Sequence, residues 1–474
     1  MEPQTCAAEG SLPPHSWWRL IGDALRGKEY NYTSIDLNRS IILLAIPMVL
    51  EMVMESVFAV VDVFYVSRLG ANAVATVGVT ESMVTIVFAV ALGLAMATTA
   101  MVARRIGEGD QEGACVAAMQ AIFIGVVVSL TIAAVGFTFA GDFLRLMGAE
   151  PDLLATGAGY TRVLLTGCGT VLMLFLINAI FRGAGNAAIA MRVLWIANII
   201  NLVLDPCLIF GLGPFPEMGV TGAAVATTIG RGFGVLLQVW ALTRGDGRIS
   251  LSARHLVLRW DIIARLLRVS STGMMQYFVA TASWVGMVRI IALFGSPALA
   301  GYTIAIRVVI FTILPSWGLS NAAATLVGQN LGAGEPDRAE KSVWLSGFYN
   351  MLFLGLVSIA FIFVPEPIIR IFSTDAEVIR VGTGCLRIIA YGYIAYAYGM
   401  VVVQAFNGAG DTVTPTLINL GCFWMLQIPL AYALAVNFHF EHSGVFSAIL
   451  IAETVMTLVA IVLFRRGKWK TQTI

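Results

Sequence analysis

The chain has 474 residues, 58% of them hydrophobic and 12% charged, with a mean hydropathy of +0.85. A soluble domain carries roughly 25% charged residues, so a soluble globule is excluded. A transmembrane β-barrel would need short alternating segments, and none appear. The net charge of +1 gives no sign of a nucleic-acid partner.

In chain order, residues 1–38 are polar and lack the apolar core of a cleavable signal peptide. His15, Trp17 and Trp18 beside Arg19, Arg26 and Lys28 predict a helix on the membrane surface or an unstructured cytoplasmic tail. Apolar runs long enough to cross about 30 Å of hydrocarbon then recur. The predicted spans 1–6 are 41–67, 75–103, 115–140, 156–181, 187–212 and 219–243. Spans 7–12 are 263–294, 300–329, 342–364, 380–406, 412–436 and 443–465. Helices are expected because each satisfies its own backbone bonds in lipid. The predicted fold is an all-α membrane protein of twelve transmembrane helices. Residues 39–245 would form one lobe, 246–262 a cytoplasmic linker, 263–466 a second lobe and 467–474 a cytoplasmic tail.

Lysine and arginine collect in the N-terminus, in alternate loops and in the last residues, where Arg465, Arg466, Lys468 and Lys470 follow span 12. The positive-inside rule therefore predicts both termini in the cytoplasm. The two halves repeat. Gly93-Leu94 through Gly107 and Gly109 returns as Gly318-Leu319 through Gly332 and Gly334, 225 positions on. Leu69-Gly70, Gly183-Ala184-Gly185 and Gly219-Val220 return at the same offset as Phe294-Gly295, Gly408-Ala409-Gly410 and Gly444-Val445. Six helices per unit is an even number, so both copies insert the same way round. That implies two six-helix bundles about a pseudo-two-fold axis along the membrane normal, with a cleft between them.

Six carboxylates fall inside apolar spans: Glu51, Glu55, Asp62, Glu81, Asp205 and Glu453. An ionised acid near the bilayer centre costs roughly 2.5–3.5 kcal/mol, so each is expected to be protonated, paired or facing water. Glu51, Glu55 and Asp62 fall within roughly 40° on one helix face, which places Glu51 and Glu55 as cavity acids. Asp62 and Asp205 lie at similar depth near the outer ends of spans 1 and 5, where two acids can share a proton or a sodium ion. Asn201 precedes Asp205 by one turn and adds a neutral oxygen; Asn178 is a further candidate. Pro47 and Pro206 free the carbonyls of Leu43 and Leu202, so both helices are expected to bend there. Arg231, Arg289, Arg307 and Arg387 are expected to pair with acids or carbonyls. Met275, Tyr277 and Trp284 are candidates to line a substrate cavity, or plain packing. The six cysteines read as small core residues, and no metal site or cofactor is expected.

Pro47 stands fifteen positions before Asp62, within a set that includes VVDVFYVSRLGANAVATVG (60–78), FRGAGN (181–186), NLVLDP (201–206) and QAFNGAGD (404–411). With the six-plus-six repeat, these resemble the multidrug and toxic compound extrusion (MATE) family over residues 36–466. The resemblance implies export of cationic lipophilic compounds against inward H+ or Na+. In the family's DinF-type branch the coupling acids sit on spans 1 and 5, which Asp62, Asp205, Asn201 and Pro47 match, with Asn178 matching a polar position of that network. Other branches place an acid on span 7 or 10; here those spans offer Gln276 and Arg387. Glu51 and Glu55 are additional to the pattern.

The expected function is a monomeric antiporter of the inner membrane, with small cationic molecules and the lipid bilayer as its partners. The alternative within transport is a lipid-linked precursor flippase of the same superfamily. An intramembrane enzyme is not expected, because no histidine lies within the spans and no GxSxG occurs.

Overall fold

The computed structural model describes residues 17–148, 151–244 and 247–474; Cys6 and His15 lie outside them. A short amphipathic helix, α1 (Trp17–Arg26), precedes the first bundle, which comprises α2 (Leu37–Ser67), α3 (Ala71–Gly107), α4 (Gln111–Leu146), α5 (Pro151–Ala184), α6 (Ala187–Phe210) and α7 (Val220–Thr243). The second bundle begins with α8 (Trp260–Ile291), α9 (Ser296–Gly332) and α10 (Pro336–Phe363), followed by the short α11 (Pro365–Arg370). It continues with α12 (Ala376–Ala390), α13 (Tyr393–Ala409), α14 (Val413–Asn419), α15 (Ile428–Tyr432) and α16 (Glu441–Arg465). Among the described residues eleven stretches are long and apolar enough to cross a membrane, and the pair α12–α13, bent by 61°, makes a twelfth.

Several helices run a turn or more past their predicted spans, because polar residues wind the first turns. Asp36 caps α2 by accepting from the backbone N–H groups of Asn38 and Arg39, at 3.0 and 3.3 Å. Asp110 caps α4 through Gly113 N–H at 2.8 Å. Two spans depart from the regular helix expected of them. Span 10 breaks at Tyr391–Gly392, where Ser358 donates to the carbonyl of Ala390 at 2.8 Å and satisfies a group the break exposes. Span 11 is wound as π-helix over Leu420–Gln427 and Ala433–Asn437.

The bundles meet along α2 and α3 from one side and α8 and α9 from the other. The repeated glycines lie at this seam. A Cβ on Gly93 would come 2.6 Å from the backbone nitrogen of Met274, and one on Gly318 would come 2.5 Å from the carbonyl oxygen of Met48. Gly107 abuts the carbonyl of Gln329, and Gly332 that of Arg104. The repeat therefore preserves backbone-to-backbone contact, which any side chain would prevent. The segment just before α2 and the C-terminal residues gather at the end where these contacts lie. There Arg338 donates to the carbonyl of Ile35, Tyr32 Oη to that of Gly185 at 3.1 Å, and Arg104 to that of Gln472. Toward the opposite end the same central helices are exposed. Gly78, Ser82 and Ile86 of α3 correspond, 225 positions on, to Thr303, Arg307 and Phe311 of α9, and all six are open. The lobes thus part into a cleft that opens away from the termini.

Candidate functional site

Three levels of acid are stacked along α2 inside the first bundle. Lowest is Glu51, fully buried. Its Oε1 accepts from the Asn178 amide at 2.9 Å and from Arg182 at 3.2 Å. Gln238 in turn donates to the Asn178 oxygen at 2.6 Å. One turn along α2, Glu55 Oε1 takes Arg231 at 2.7 Å and its Oε2 takes the Asn198 amide at 3.3 Å. The Arg231 guanidinium lies 4.9 Å from the centre of the Phe58 ring, so the cation is held by charge and by an aromatic face.

The third level differs. Among the described residues Asp62 has no hydrogen-bond or ion-pair partner, and it is only partly buried. Asp205 is fully buried. With the Asn201 amide turned to satisfy its neighbours, its nitrogen faces Asp205 Oδ2 at 3.0 Å and its oxygen receives Thr227 N–H at 3.0 Å. Gly230 lets α7 approach this closely: a Cβ there would stand 3.1 Å from Asn201 Cβ. Asp62 and Asp205 lie in each other's electrostatic field; Glu81 acts on Asp62 in the same sense and the Arg231 cation in the opposite one. Tyr160 of α5 lies in the electrostatic field of all three acids. Pro206, directly after Asp205, lies inside α6 and Pro47 inside α2.

The structure therefore brings together Asp62, Asp205 and Asn201. It does not put Asn178 with them; that amide belongs to Glu51 and Gln238, two levels nearer the termini. Glu51 and Glu55 face the bundle interior, and each is tied to an arginine rather than open. Arg182, one residue past the predicted end of span 4, is buried. The signal was available, since Asn178 and Arg182 are four apart and share a helix face. Asn198, Gln238 and Thr227 were not singled out, because single amides and hydroxyls in apolar runs carry no pattern of their own. Of the other intramembrane arginines, Arg387 donates to the carbonyl of Ile362 at 3.3 Å, and Arg307 faces Glu81 across the cleft within electrostatic reach. Glu453 is the deep acid of the second bundle, with Oε2 buried and unpartnered.

At the base of the cleft lies a cavity of about 260 Å³. Met52, Glu55, Phe88, Phe175 and Arg182 line it from the first bundle, and Tyr277, Trp317, Asn321, Gln404 and Asn407 from the second. The Tyr277 and Trp317 rings are 5.6 Å apart. An amide chain also lines it from the second bundle, Asn407 donating to Gln404 at 2.8 Å and Gln404 to Asn321 at 3.2 Å. Of the two expected cavity acids Glu55 lines it and Glu51 does not, and of Met275, Tyr277 and Trp284 only Tyr277 does. Met275 is two positions away on the helix, hence on the opposite face, and is 53% exposed; Trp284 packs on the core of the second bundle. The cavity offers aromatic faces, amides and two compensated charges, a lining suited to a molecule with an apolar body and a polar end.

The MatE family model matches residues 47–207 and again 272–433, one match in each bundle. The chain is 26% identical to the "Probable multidrug resistance protein NorM" of Thermotoga maritima over 441 residues, 93% of this chain and 94% of that protein. It is 25% identical to the "FAD transporter" of Shewanella oneidensis over 401 residues, 84% and 88% of the two chains. Among solved structures, the "outward-facing conformation of a multidrug resistance MATE family transporter of the MOP superfamily" superposes with a TM-score of 0.87 at 24% identity, over 94% of this chain and 99% of that one. A MOP superfamily transporter from Pyrococcus furiosus gives 0.85 at 24% identity, over 95% and 98%.

Proposed function

Because the chain belongs to the MatE family, the multidrug and toxic compound extrusion transporters, we propose that it is a secondary active antiporter exporting cationic amphipathic drugs or metabolites in exchange for H+ or Na+. In this reading both termini are cytoplasmic, the membrane is the inner one and the cleft opens outward. Asp62 and Asp205 carry the coupling ion, with Asn201 holding Asp205 in place. Pro47 and Pro206 are the points at which α2 and α6 bend when the acids change charge. Substrate binds at the base of the cleft, its apolar body against Tyr277 and Trp317.

One observation carries the reading. Glu51 and Glu55 are bonded to arginines, whereas Asp62 and Asp205 lie within each other's electrostatic field and make no ion pair among the described residues; Arg231, bonded to Glu55, acts on Asp62 only as a more distant charge. Acids already neutralised by a fixed cation have little reason to bind a travelling one. Two facing carboxylates resist being ionised together, so a cation between them is favoured.

The test is efflux of a fluorescent cation from vesicles under separately imposed pH and Na+ gradients. Asp62→Asn and Asp205→Asn are expected to lose ion-driven efflux by about tenfold or more, the scale of an essential charge. Full gradient-driven efflux in either variant would remove the coupling assignment. Movement of an anionic dinucleotide such as FAD in place of cations would overturn the substrate assignment and leave the coupling untouched.

A further inference from the structure

Glu55 belongs to two places at once. It lines the cavity at the base of the cleft, and it stands two helical turns from Asp62 on the same face of α2. The residue that joins the two levels is Arg231 of α7. Its Nη2 donates to Glu55 Oε1 at 2.7 Å, while its Nη1 is buried and bonds nothing, so only half of the guanidinium fork is used. The guanidinium lies 4.9 Å from the ring of Phe58, which sits on α2 between Glu55 and Asp62. Its charge also acts on Asp62. One turn away on α7, Thr227 receives the Asn201 side chain beside Asp205, so α7 reaches both levels. The rise from Phe58 to Asp62 is about 6 Å, within the sweep of an arginine that changes rotamer. Glu55 and Asp62 thus stand along one guanidinium, and one of the two is always left without it.

We infer that Arg231 passes between Glu55 and Asp62 during transport, and that Glu55 is the carboxylate to which the exported cation binds. The inference rests on the coupling role proposed for Asp62. With the coupling ion on Asp62, Arg231 is on Glu55, as in the structure, and Glu55 is closed to a travelling cation. When the ion leaves, the charge of Asp62 draws Arg231 along α2, past the face of the Phe58 ring, which attracts a cation at either level. The Asn198 amide still holds Glu55 Oε2 at 3.3 Å, so the bared carboxylate stays at the cavity and takes the substrate cation. In both positions Arg231 ties α7 to α2. Coupling ion and substrate therefore exclude one another without sharing a ligand, which is what exchange requires.

The experiment reads equilibrium binding of tetraphenylphosphonium to detergent-purified full-length transporter in Na+-free, mildly alkaline buffer. No gradient is applied, so it is separate from the efflux assay that tests the coupling role itself. Asp62→Asn removes the charge that draws Arg231 away. Apparent affinity falls with the fraction of competent protein, so binding is expected to weaken about tenfold or more, although Asp62 does not line the cavity. Asp62→Glu keeps the charge and is expected to bind within about threefold of the unaltered protein, which separates charge from a structural loss. Asp62→Asn with Arg231→Gln bares Glu55 permanently and is expected to regain binding to within about threefold. Glu55→Gln is expected to lose it about tenfold or more, whether or not Arg231 is present.

Unchanged binding in Asp62→Asn overturns the exchange, as does a folded double variant that binds no better than Asp62→Asn. If the double variant does not fold, Asp62→Asn set against Asp62→Glu still decides: equal binding by the two overturns the exchange. Normal binding in Glu55→Gln overturns the assignment of Glu55. A transporter that binds no tetraphenylphosphonium at all would overturn the cation-export reading, and this inference with it.

Discussion

The two bundles share a chain trace and differ in what they place inside it. The positions 225 residues after Glu51, Glu55, Asp62, Asp205 and Arg231 hold Gln276, Ala280, Met287, Leu430 and Met456, so almost the whole charged interior of the first bundle is absent from the second. The backbones differ in the reverse sense. α5 is continuous over Pro151–Ala184 while its counterpart is split into α12 and α13 at 61°, and α6 is α-helical where its counterpart is largely π. Ion pairs hold the helices of the first bundle at fixed separations. The second, packed by apolar contacts and neutral hydrogen bonds such as that of Ser316 to Asn350, tolerates a break and a change of winding, which recur where helices flex. The comparison teaches a division of labour: one lobe holds charge, the other supplies compliance.

The strongest way to break that comparison is to remove the charge. Glu51→Leu leaves Arg182 buried and uncompensated, which is expected to cost about 3–5 kcal/mol of stability, read as thermal unfolding in detergent. Glu51→Leu with Arg182→Leu should regain most of the loss, because an apolar pair of similar volume needs no partner. The matching change in the second bundle, Gln276→Leu, removes an oxygen that is already unpartnered and should cost less than about 1 kcal/mol. A neutral Glu51→Leu would show that the pair does not stiffen the lobe.

Much of this was legible beforehand. Twelve crossings follow from apolar run length, and the paired bundles from the constant offset of glycines such as Gly93 and Gly318. What the glycines do was not legible, because that Gly93 meets Met274 is a fact of tertiary packing. The facing of Asp62 and Asp205 was within reach, since equal depth is countable along two helices. That Arg231 would pair with an acid or a carbonyl was expected, but which acid Arg182 and Arg231 each take was not legible, because pairing across α5 and α7 depends on rotations that composition does not encode. The break at Tyr391–Gly392 was missed for a similar reason: hydropathy is continuous through it, and only the contact with Ser358 makes it tolerable.

A smaller effect is expected where the bundles are tied together. Arg104 of α3 donates to the backbone carbonyl of Gln472. Trp469, just before it, is fully buried and stacked on Phe464 with ring centres 4.5 Å apart. The tail of the second lobe thus latches onto the first at the closed end. A hydrogen bond from a charged donor is worth about 1.5–3 kcal/mol, so Arg104→Ala should raise the population opened at the terminal end by roughly tenfold or more. In a cysteine-free background, Thr99→Cys at the cavity reports this as faster labelling by a membrane-impermeant thiol reagent applied from the terminal side. Unchanged labelling would mean that the seam of glycines closes that end without the latch.

The smallest effect lies at the other end of the cleft, where charge crosses from one lobe to the other. Glu81 on α3 and Arg307 on α9 are both exposed there and within each other's field, with no hydrogen bond between them. They occupy the matched faces that line the opening, so closing the cleft brings them together. An ion pair in partly hydrated surroundings contributes about 0.2–1 kcal/mol, which corresponds to at most roughly fivefold in a rate. Glu81→Arg should therefore slow efflux by no more than about fivefold, through repulsion of Arg307, and Arg307→Glu should act in the same direction. The exchange Glu81→Arg with Arg307→Glu restores opposite charges and should recover the rate to within about twofold. Recovery would place a charge contact of the second lobe in the transport cycle and qualify the division drawn above. If the double variant is instead as slow as the singles, Glu81 acts through Asp62 within its own bundle, and the second lobe is electrostatically silent.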